Sequence, residues 1–495
     1  MKKVALIILD GFGLAPPWGG NAIFLAKTPF FDKILSNNPN STLVASGEAV
    51  GLPFGEPGNS ESGHLNIGAG KVVHQDVKHI SDLIKNDTFY QNKVLIEAMS
   101  RIKKNQSNLH IAGLVSDGGI HSHIDHLLAL LTLCKKEEVK NVYIHIFTDG
   151  RDTEPQEALK FLEKLQKKIK SIGIGKIASV SGRFYAMDRD KHDERINLVY
   201  NVMASAAGPK ENKAEAAITK SYKQGFTDEY VTPASITNVP IKNNDSLIFF
   251  NVRGDRMIQL VTRFANANIK NLFIVTFTWY GHEIKNTQFA FPPEEVKFPL
   301  ARVISENNLS QLHIAETEKY AHVTYFFNGG IEKKFKNEQR IVIPSKRVKN
   351  YKEYPAMSAS EITNTVISEL KTKLYYLLVI NYANADMVGH SGDLKATTAA
   401  IEVLDAEIKK LTSYLLNHYE IIITADHGKA EQMVNPKTGD SDPEHTINPV
   451  PFIILSKSVK YTLKPQGILA FIAPTILQIM GIDKSKEMSG ESLIK

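Results

Sequence analysis

The sequence has only one cysteine among its 495 residues, so an intrachain disulfide is excluded. Cys134 ends an apolar run, residues 127–134, which has the composition of the buried face of a helix. A chain without disulfides is typical of the reducing cytoplasm, and we therefore predict a cytoplasmic protein.

The sequence also lacks a hydrophobic run long enough for a membrane span. The run Val4–Leu9 follows two lysines as a signal peptide would, but it is short, ends at Asp10 and has no small-residue cleavage site. The run 468–482 contains Pro474 and falls short of the ~20 residues that a span needs. We predict a first strand and a core helix from these two segments, and no membrane association.

No block of basic residues with interleaved aromatics is present, although the formal net charge is +6. Nucleic acid is therefore not expected as a partner. The charge is compatible with a small anionic substrate and equally with a mildly basic surface. There is no low-complexity tract or internal repeat, and 43% apolar residues in a chain of 495 predict a large core divided into two or more units.

Short β-branched runs alternate with segments of helical periodicity, which predicts an α/β protein with a mostly parallel sheet covered by helices. The runs predicted as strands are 4–9, 109–114, 142–147, 247–250, 375–380 and 419–423.

The residues that follow these runs fall into two groups. The runs near the two chain ends lead into aspartates, whereas the middle runs lead into histidine and arginine. Because ligands gather at the carboxyl ends of strands in open α/β sheets, we expect one acidic, metal-like site and one cationic site. Proline and charged residues interrupt the pattern after Gly70 and near Phe291, which predicts an outer domain, 1–74 with 297–495, and an inserted domain, 75–296, joined by a hinge.

The acidic site is predicted from carboxylates and imidazoles in metal-binding spacing. Asp386 and His390 are four residues apart, and Asp426 and His427 are adjacent after a strand, where Gly428 would permit an abrupt turn. Taken together, the set is large enough for two cations: Asp10, Asp386, His390, Asp426, His427 and His445.

A glycine-rich stretch, residues 58–70, holds the candidate nucleophile Ser60. Its small residues allow close approach of the backbone to a phosphate. A serine hydroxyl is a poor nucleophile at neutral pH unless a base or a metal activates it, and the acidic site supplies such a metal. Ser62 stays open as an alternative.

Six motifs resemble cofactor-independent phosphoglycerate mutase, in order over essentially the whole chain. They are GNSESGHLNIGAG around Ser60, VSDGGIHSH at His121, GRFYAMDRD at Arg183 and Arg189, EKYAHVT at Lys319, DMVGH at Asp386 and TADHG at Asp426. The resemblance implies the alkaline phosphatase superfamily, with a phosphatase-like outer domain and an inserted transferase domain.

The same resemblance implies the ligand sets and the reaction. One metal would be held by Asp386, His390 and His445, and the other by Asp10, Ser60, Asp426 and His427. Manganese is implied, and zinc, cobalt and magnesium are alternatives. The reaction would interconvert 3-phosphoglycerate and 2-phosphoglycerate through a phosphoserine, without 2,3-bisphosphoglycerate, in a monomer.

The resemblance assigns binding of the glycerate part to seven residues of the insert: His121, Arg151, Asp152, Arg183, Arg189, Arg253 and Arg256. Arginine is suited to clamping carboxylate and phosphate. Lys319 would place a further positive charge near the phosphoryl oxygens. Either Asp152 or His121 would handle the protons of the glycerate hydroxyls.

Two positions, and the stretch just beyond Arg151 and Asp152, depart from the family pattern. Gly254 replaces a proline, which predicts a looser loop between Arg253 and Arg256, and Lys429 replaces an asparagine, which puts a charge next to a metal ligand.

Three alternative functions remain. A phosphatase or phosphodiesterase is the first, and the arginines argue against it. A phosphopentomutase should lack the stretch from His121 to Arg151, and a non-catalytic binding protein should have lost a ligand or Ser60.

Overall fold

The computed structural model describes residues 1–281 and 284–495. Within them the chain divides into two compact units, Met1–His74 with Glu294–Lys495, and Gln75–Pro293. The second junction follows Pro293, where the sequence prediction has residue 296. Each unit has its own sheet and its own apolar core.

The strands of the described residues form two sheets. They are β1 (Val4–Leu9), β2 (Asn40–Val44), β3 (Leu109–Leu114), β4 (Val142–Thr148), β5 (Lys176–Gly182), β6 (Ala234–Ser235), β7 (Ser246–Phe249), β8 (Phe273–Thr276), β9 (Thr287–Phe289), β10 (Gln311–Glu316), β11 (Glu338–Ile343), β12 (Leu377–Tyr382), β13 (Glu420–Thr424), β14 (Val450–Leu455) and β15 (Gln466–Ile468).

The helices connect these strands. They are α1 (Ala22–Leu25), α2 (Pro29–Asn37), α3 (Ser60–Ala69), α4 (Asp76–Lys85), α5 (Lys93–Asn105), α6 (Ile124–Lys136), α7 (Ala158–Ile172), α8 (Arg183–Ala186), α9 (Asp193–Ser205), α10 (Ala214–Lys223), α11 (Ile258–Ala265), α12 (Leu300–Glu306), α13 (Ala359–Glu369), α14 (Asn384–Gly389), α15 (Leu394–Leu415) and α16 (Ile472–Met480). Short 3-10 turns cover Gly47–Val50, Thr88–Gln91, Asp228–Tyr230, Thr317–Lys319, Tyr351–Glu353 and Leu469–Phe471, and a π-helical turn covers His322–Phe326.

The sheet of the first unit has the order β11-β10-β12-β1-β13-β14-β2-β15. The five strands from β11 to β13 are parallel, and β14 is antiparallel to both of its neighbours. Every residue of β1 and β12 is buried, as expected for central parallel strands that are covered on both faces. The carboxyl ends of β10, β12, β1 and β13 therefore lie side by side along one edge.

The sheet of the second unit has the order β6-β5-β4-β3-β7-β8-β9. All neighbouring pairs are parallel except β5 with β6. The amphipathic helix α7 packs on α6 and α10, and it ends at Gly173, whose left-handed φ of 71° is typical of a helix C-terminus. Here the carboxyl ends of β5, β4, β3 and β7 are adjacent.

The α/β prediction is confirmed, and most predicted strands are found within one residue of their predicted bounds. The run predicted at 375–380 forms a strand only from Leu377 to Tyr382. The Tyr375 hydroxyl lies 2.7 Å from Gln339 Oε1 and 2.9 Å from Glu369 Oε2, the two acceptors available to its single hydrogen. Apolar composition thus located this strand but not its start, since the pairing with β1 and β10 begins at Leu377.

The two segments that resemble membrane signals are part of the core. Val4–Leu9 is a central strand, and the C-terminal run contains α16, in which Pro474 is buried. Cys134 is buried in α6, as predicted. Among the described residues, no helix has the length and apolar character needed to span a membrane.

Candidate functional site

Strand ends position the acidic set of the first unit. Asp10 directly follows β1, and Asp386 lies in α14, which follows β12. Asp426 and His427 follow β13, and Lys319 ends the turn after β10. Because these four strands are adjacent and parallel, residues that are far apart in sequence converge at one edge of the sheet.

Ser60 is the first residue of α3 and lies within this acidic set. Its Oγ is 3.1 Å from Asp10 Oδ1, 3.0 Å from His427 Nε2 and 2.6 Å from Lys319 Nζ. The side chain of Asn59 caps the helix and thereby fixes its first turn. The hydroxyl is thus buried among a carboxylate, an imidazole and an ammonium group.

Ser62, the alternative nucleophile, has a different environment. Its Oγ donates to the carbonyl oxygen of Asn59 at 3.2 Å. A hydroxyl used in this way faces the first turn of its own helix. The geometry therefore favours Ser60.

Glycines let the backbone of the Ser60 segment contact other backbones. A Cβ atom on Gly63 would lie 2.6 Å from the carbonyl oxygen of Asp426. A Cβ on Gly58 would lie 1.9 Å from Ala45 O, and one on Gly68 would lie 1.9 Å from Phe327 O. Any side chain at these three positions would therefore displace α3.

Three lone pairs converge around His390, His445 and Asp386. His390 Nδ1 lies 2.9 Å from Pro443 O and His445 Nδ1 lies 2.8 Å from Gly58 O. A carbonyl oxygen only accepts hydrogen bonds, so both Nδ1 atoms carry a hydrogen, and in the neutral rings both Nε2 atoms present lone pairs. These Nε2 atoms are 3.0 Å apart, and Asp386 Oδ1 is 3.2 Å from one and 3.1 Å from the other. Such an arrangement fits a cation between them.

A second convergence of ligand atoms involves His427 and Asp426. His427 Nε2 is 3.5 Å from both Asp10 Oδ1 and Asp426 Oδ2, and 3.9 Å from Asp386 Oδ1. Asp426 Oδ1 accepts from the backbone N–H groups of Gly11 (3.2 Å) and His427 (3.1 Å). Its Oδ2 is buried and has no hydrogen-bond partner among the described residues. A buried carboxylate oxygen without a donor also fits a bound cation.

The geometry groups the potential ligands somewhat differently from the family resemblance. One group whose ligand atoms lie within 4.8 Å of one another contains Asp386, His427 and His445, and the other contains Asp10, His64 and Asp426. His427, which the resemblance pairs with Asp10 and Asp426, therefore lies between the two groups. His64 is not among the predicted ligands.

Charge pairing controls the protonation of this cluster. Burial by itself would raise the pKa of Asp10, but the Lys319 ammonium and a hydrogen bond with His427 hold it well below its usual range. Lys319 Nζ is 2.7 Å from Asp10 Oδ1 and 2.6 Å from Asp386 Oδ2. Burial would lower the pKa of His427, yet the surrounding carboxylates, Asp426 first, raise it to about 9. Without metal ions, the three carboxylates of the cluster are therefore balanced in part by the Lys319 ammonium and a protonated His427.

The second unit holds the predicted cationic site, with Arg183 at its centre. Arg183 opens α8 after β5, and its Nη1 is 2.7 Å from Asp149 Oδ1 and 2.7 Å from Asp152 Oδ2. Asp149 also accepts from the backbone N–H groups of Arg151 (3.1 Å) and Asp152 (2.9 Å). One buried arginine thus fixes the loop that follows β4.

The other predicted arginines are more exposed than Arg183. Burial first, and then the positive charges of Arg189, Arg183 and Arg151, lower the pKa of Arg256. Arg189 Nη1 lies 3.8 Å from Asp255 Oδ2. Arg253 Nε lies 3.2 Å from Asp255 Oδ1. The structure brings the arginines of the prediction to one edge of the second sheet.

His121 differs from His427 in its charge environment. It is buried, and its Nδ1 has no hydrogen-bond partner among the described residues. Burial, followed by the positive charge of Arg183, lowers its pKa to about 4. The imidazole is therefore neutral at physiological pH.

Sequence reasoning missed several residues that support these sites. His64 lies one helical turn after Ser60, a spacing that could have identified it. Asn381 is a polar residue within the apolar run of β12. Asp149, two residues before Arg151, pairs with Arg183, and Asp255 pairs with Arg253.

Two glycine expectations need correction. Gly428 does not adopt a left-handed φ; a Cβ there would lie 2.3 Å from Thr446 Oγ1 and 2.5 Å from Glu431 Oε1, so the position needs space and not a special turn. At Gly254 a Cβ would lie 2.8 Å from Tyr280 Cα. That loop is closely packed against Tyr280, in contrast to the looser loop that the sequence predicted.

Lys429 is fully buried behind the His390 site. Its Nζ donates to Asp442 O at 2.9 Å and contacts Met433 Sδ at 3.6 Å. A Cβ on Gly389 would lie 2.9 Å from Lys429 Cγ, so the lysine stem packs directly against α14. Burial lowers the pKa of Lys429, whereas nearby carboxylates, Asp442 and Asp386 first, oppose that effect.

Comparison with known proteins gives consistent matches. A family model described as the N-terminus of BPG-independent PGAM matches residues 80–290. The 2,3-bisphosphoglycerate-independent phosphoglycerate mutase of Clostridium kluyveri is 49% identical, over 100% of this chain and 99% of that protein. The protein of the same name from Clostridioides difficile is 47% identical over the same shares. A crystal structure of Leishmania mexicana phosphoglycerate mutase at low cobalt concentration matches with a TM-score of 0.67 and 29% identity, over 100% of this chain and 98% of that one.

Proposed function

This chain belongs to the family of 2,3-bisphosphoglycerate-independent phosphoglycerate mutases, and on that premise we propose how its residues carry out the reaction. The enzyme interconverts 3-phosphoglycerate and 2-phosphoglycerate. The proposal concerns the carrier of the phosphoryl group, the groups that assist it and the cations that the acidic site holds.

The position of Ser60 carries the proposal. Its Oγ has a carboxylate, an imidazole and an ammonium nitrogen within 3.1 Å, at the N-terminus of a helix. Positive charge and helix N–H groups favour anionic oxygen. We assign Ser60 as the nucleophile that carries the phosphoryl group.

The serine reaction has two balanced halves. Ser60 Oγ loses its proton and forms a bond to phosphorus as the bond from phosphorus to the O3 oxygen of glycerate breaks, and the freed O3 takes up one proton. The O2 hydroxyl then loses its proton and forms a bond to phosphorus as the bond from phosphorus to Ser60 Oγ breaks, and Ser60 Oγ takes up one proton. Asp10 Oδ1, 3.1 Å from Ser60 Oγ, accepts the hydroxyl hydrogen in the resting state, and Lys319 Nζ, at 2.6 Å, stabilises negative charge on Oγ.

The acidic site is proposed to hold two divalent cations. Asp386, His390 and His445 would hold one, and Asp10, Ser60, Asp426 and His427 the other. When bound, the cations would supply positive charge that favours the serine alkoxide and neutralises the phosphoryl group. Mixed oxygen and imidazole donors suit Mn²⁺, with Zn²⁺, Co²⁺ and Mg²⁺ as the cations to test against it.

The second unit is proposed to hold glycerate while the phosphoryl group is on Ser60. Exposed guanidinium groups offer bidentate hydrogen bonds to the carboxylate and phosphate of the substrate. Asp152 is engaged by Arg183 at 2.7 Å, whereas His121 is neutral, with a pKa lowered to about 4 by burial and by Arg183. We therefore assign the transfer of the glycerate hydroxyl protons to His121 in preference to Asp152.

We further propose a cytoplasmic monomer whose partner is the small-molecule substrate alone. One cysteine, which is buried in α6, supports a reducing compartment.

A coupled assay tests the proposed function. The purified chain is given 3-phosphoglycerate and Mn²⁺ without 2,3-bisphosphoglycerate, and 2-phosphoglycerate and free phosphate are measured separately. We expect 2-phosphoglycerate as the main product and strict dependence on the cation. Mostly free phosphate would identify a hydrolase and overturn the proposal.

A further inference from the structure

One amide side chain connects two parts of the acidic site. Asn381, in strand β12, donates from Nδ2 to Asp10 Oδ2 at 2.7 Å, and the same nitrogen lies 3.0 Å from His64 Nε2. All three side chains are completely buried. The two hydrogens of one amide group therefore serve a carboxylate and an imidazole at once.

This contact indicates which nitrogen of a neutral His64 ring carries the hydrogen. An Nε2 atom that accepts from an amide N–H must be unprotonated, so the proton of the neutral ring is on Nδ1. His64 Nδ1 lies 2.9 Å from the carbonyl oxygen of Ser60, which can only accept. The two contacts independently require the same tautomer.

The protonated nitrogen also faces a proposed ligand. His64 Nδ1 donates its hydrogen to Ser60 O, and it also lies 3.2 Å from Asp426 Oδ2, which has no hydrogen-bond partner among the described residues. His64 and Ser60 are on consecutive turns of α3, so the imidazole reaches back to the carbonyl of the nucleophile. Asn381 and His64 thus contact Asp10, Ser60 and Asp426 together.

We propose that His64 and Asn381 are positioning residues that hold Asp10, Asp426 and the backbone of Ser60 in register for one of the two cations. This inference rests on the proposed two-cation site. His64 lies within 4.8 Å of the carboxylate ligand atoms, but it donates with one nitrogen and accepts with the other, so it orients ligands and is not one itself.

Three variants test the pair. Asn381→Leu keeps the approximate volume but removes both donated hydrogen bonds. His64→Ala removes the imidazole, and His64→Asn restores an N–H group near the Nδ1 position. The matched control is His313→Asn, because His313 is a fully buried histidine of the same unit, with hydrogen bonds to Val323 O (2.6 Å) and Gln311 Oε1 (3.0 Å), outside the acidic site.

The readout is a calorimetric titration of the full chain with Mn²⁺, with folding checked by circular dichroism. Partners of metal ligands commonly affect metal affinity by about 10–100-fold. We expect Asn381→Leu and His64→Ala to weaken one of two Mn²⁺ equivalents by at least tenfold and the other by less than threefold. His64→Asn should recover part of the loss, and His313→Asn should bind as the wild type does.

The outcomes separate this inference from the function on which it rests. If the wild type takes up two Mn²⁺ ions, and Asn381→Leu and His64→Ala also bind both ions with unchanged affinity, the positioning role is wrong while the proposed function stands. Equal weakening of both ions, or equal weakening in the His313 control, would reduce the effect to general destabilisation and also overturn it. A wild type that binds fewer than two ions would overturn the two-cation site itself.

Discussion

In both units the site lies at the edge of the sheet where the carboxyl ends of the parallel strands meet, but the charged residues there have opposite sign. In each, four adjacent parallel strands end side by side, and the residues after those ends form the site. In the first unit these residues are mostly aspartates, and in the second they are mostly arginines. The pKa values of two histidines differ accordingly. Carboxylates raise the pKa of His427 to about 9, although its burial would lower it, whereas burial and Arg183 lower the pKa of His121 to about 4.

This contrast shows that the scaffold and the chemistry are separable. A parallel sheet determines where side chains converge, but the residues after each strand determine what binds there. In the first unit a histidine must lose a proton before a cation binds. In the second, His121 is already neutral and the permanent charge of arginine does not depend on pH.

The largest expected effect is a loss of turnover from a change confined to the site of the first unit. Ser60→Ala removes the proposed carrier and should lower turnover by about 10⁴-fold or more, as loss of a nucleophile does in serine enzymes. Ser62→Ala, which loses only a hydrogen bond to Asn59 O, is the matched control and should retain near wild-type turnover. Steady-state assays with 3-phosphoglycerate measure both, and comparable rates in the two variants would contradict the assignment.

A second experiment compares a buried arginine of the second unit with an exposed one. Arg183→Met leaves Asp149 and Asp152 without their partner and should lower the free energy of unfolding by about 3–5 kcal/mol, as expected for a broken buried pair. Arg253→Met, whose side chain is 58% exposed, should lower it by less than about 1 kcal/mol. Urea denaturation measures both, and equal values would contradict the central structural role of Arg183.

A third experiment uses pH to separate the sites. The pKa of His427 is about 9 without cations, so protons compete with Mn²⁺ at physiological pH. For each proton that must leave the site when Mn²⁺ binds, the Mn²⁺ affinity should fall by about tenfold per pH unit as the pH falls from 8 to 6. The pKa of His121 is about 4, so glycerate binding should stay constant over the same range.

Calorimetry of the full chain at several pH values tests that prediction, first with Mn²⁺ and then with a non-phosphorylated glycerate ligand. A Mn²⁺ affinity that does not change between pH 6 and 8 would show that no proton leaves the acidic site on binding.

The smallest expected effect concerns Lys429, which stands where the family pattern has asparagine. Lys429→Met keeps the stem that packs on Gly389 but removes a positive charge near Asp386. Less repulsion should strengthen Mn²⁺ binding by about three- to tenfold. Lys437→Met, on an exposed loop, is the control and should change nothing. Unchanged affinity in Lys429→Met would show that its ammonium does not act on the cation.

The sequence predicted the parts of both sites that follow strands. Asp10 and Asp426 lie at the ends of predicted strands, so their convergence follows from the parallel sheet alone. Arg183 follows β5, which the sequence did not predict as a strand, and only its family motif indicated it. Asn381 lies inside an apolar run, and Asp149 pairs with Arg183, 34 residues later; neither contact is visible in a linear pattern. The glycine at 428 was recognised, but the reason for it is the space taken by the side chains of Glu431, three residues later, and Thr446, 18 residues later.

The backbone contacts of α3 have a consequence for altering this enzyme. At Gly58, Gly63 and Gly68 the opposing atoms are main-chain carbonyl oxygens, which no change of rotamer or residue type can move aside. A library of substitutions at these positions would therefore consist almost entirely of misfolded chains. Diversity directed at the loops after β3, β4, β5 and β7 would vary substrate recognition while leaving the Ser60 helix untouched.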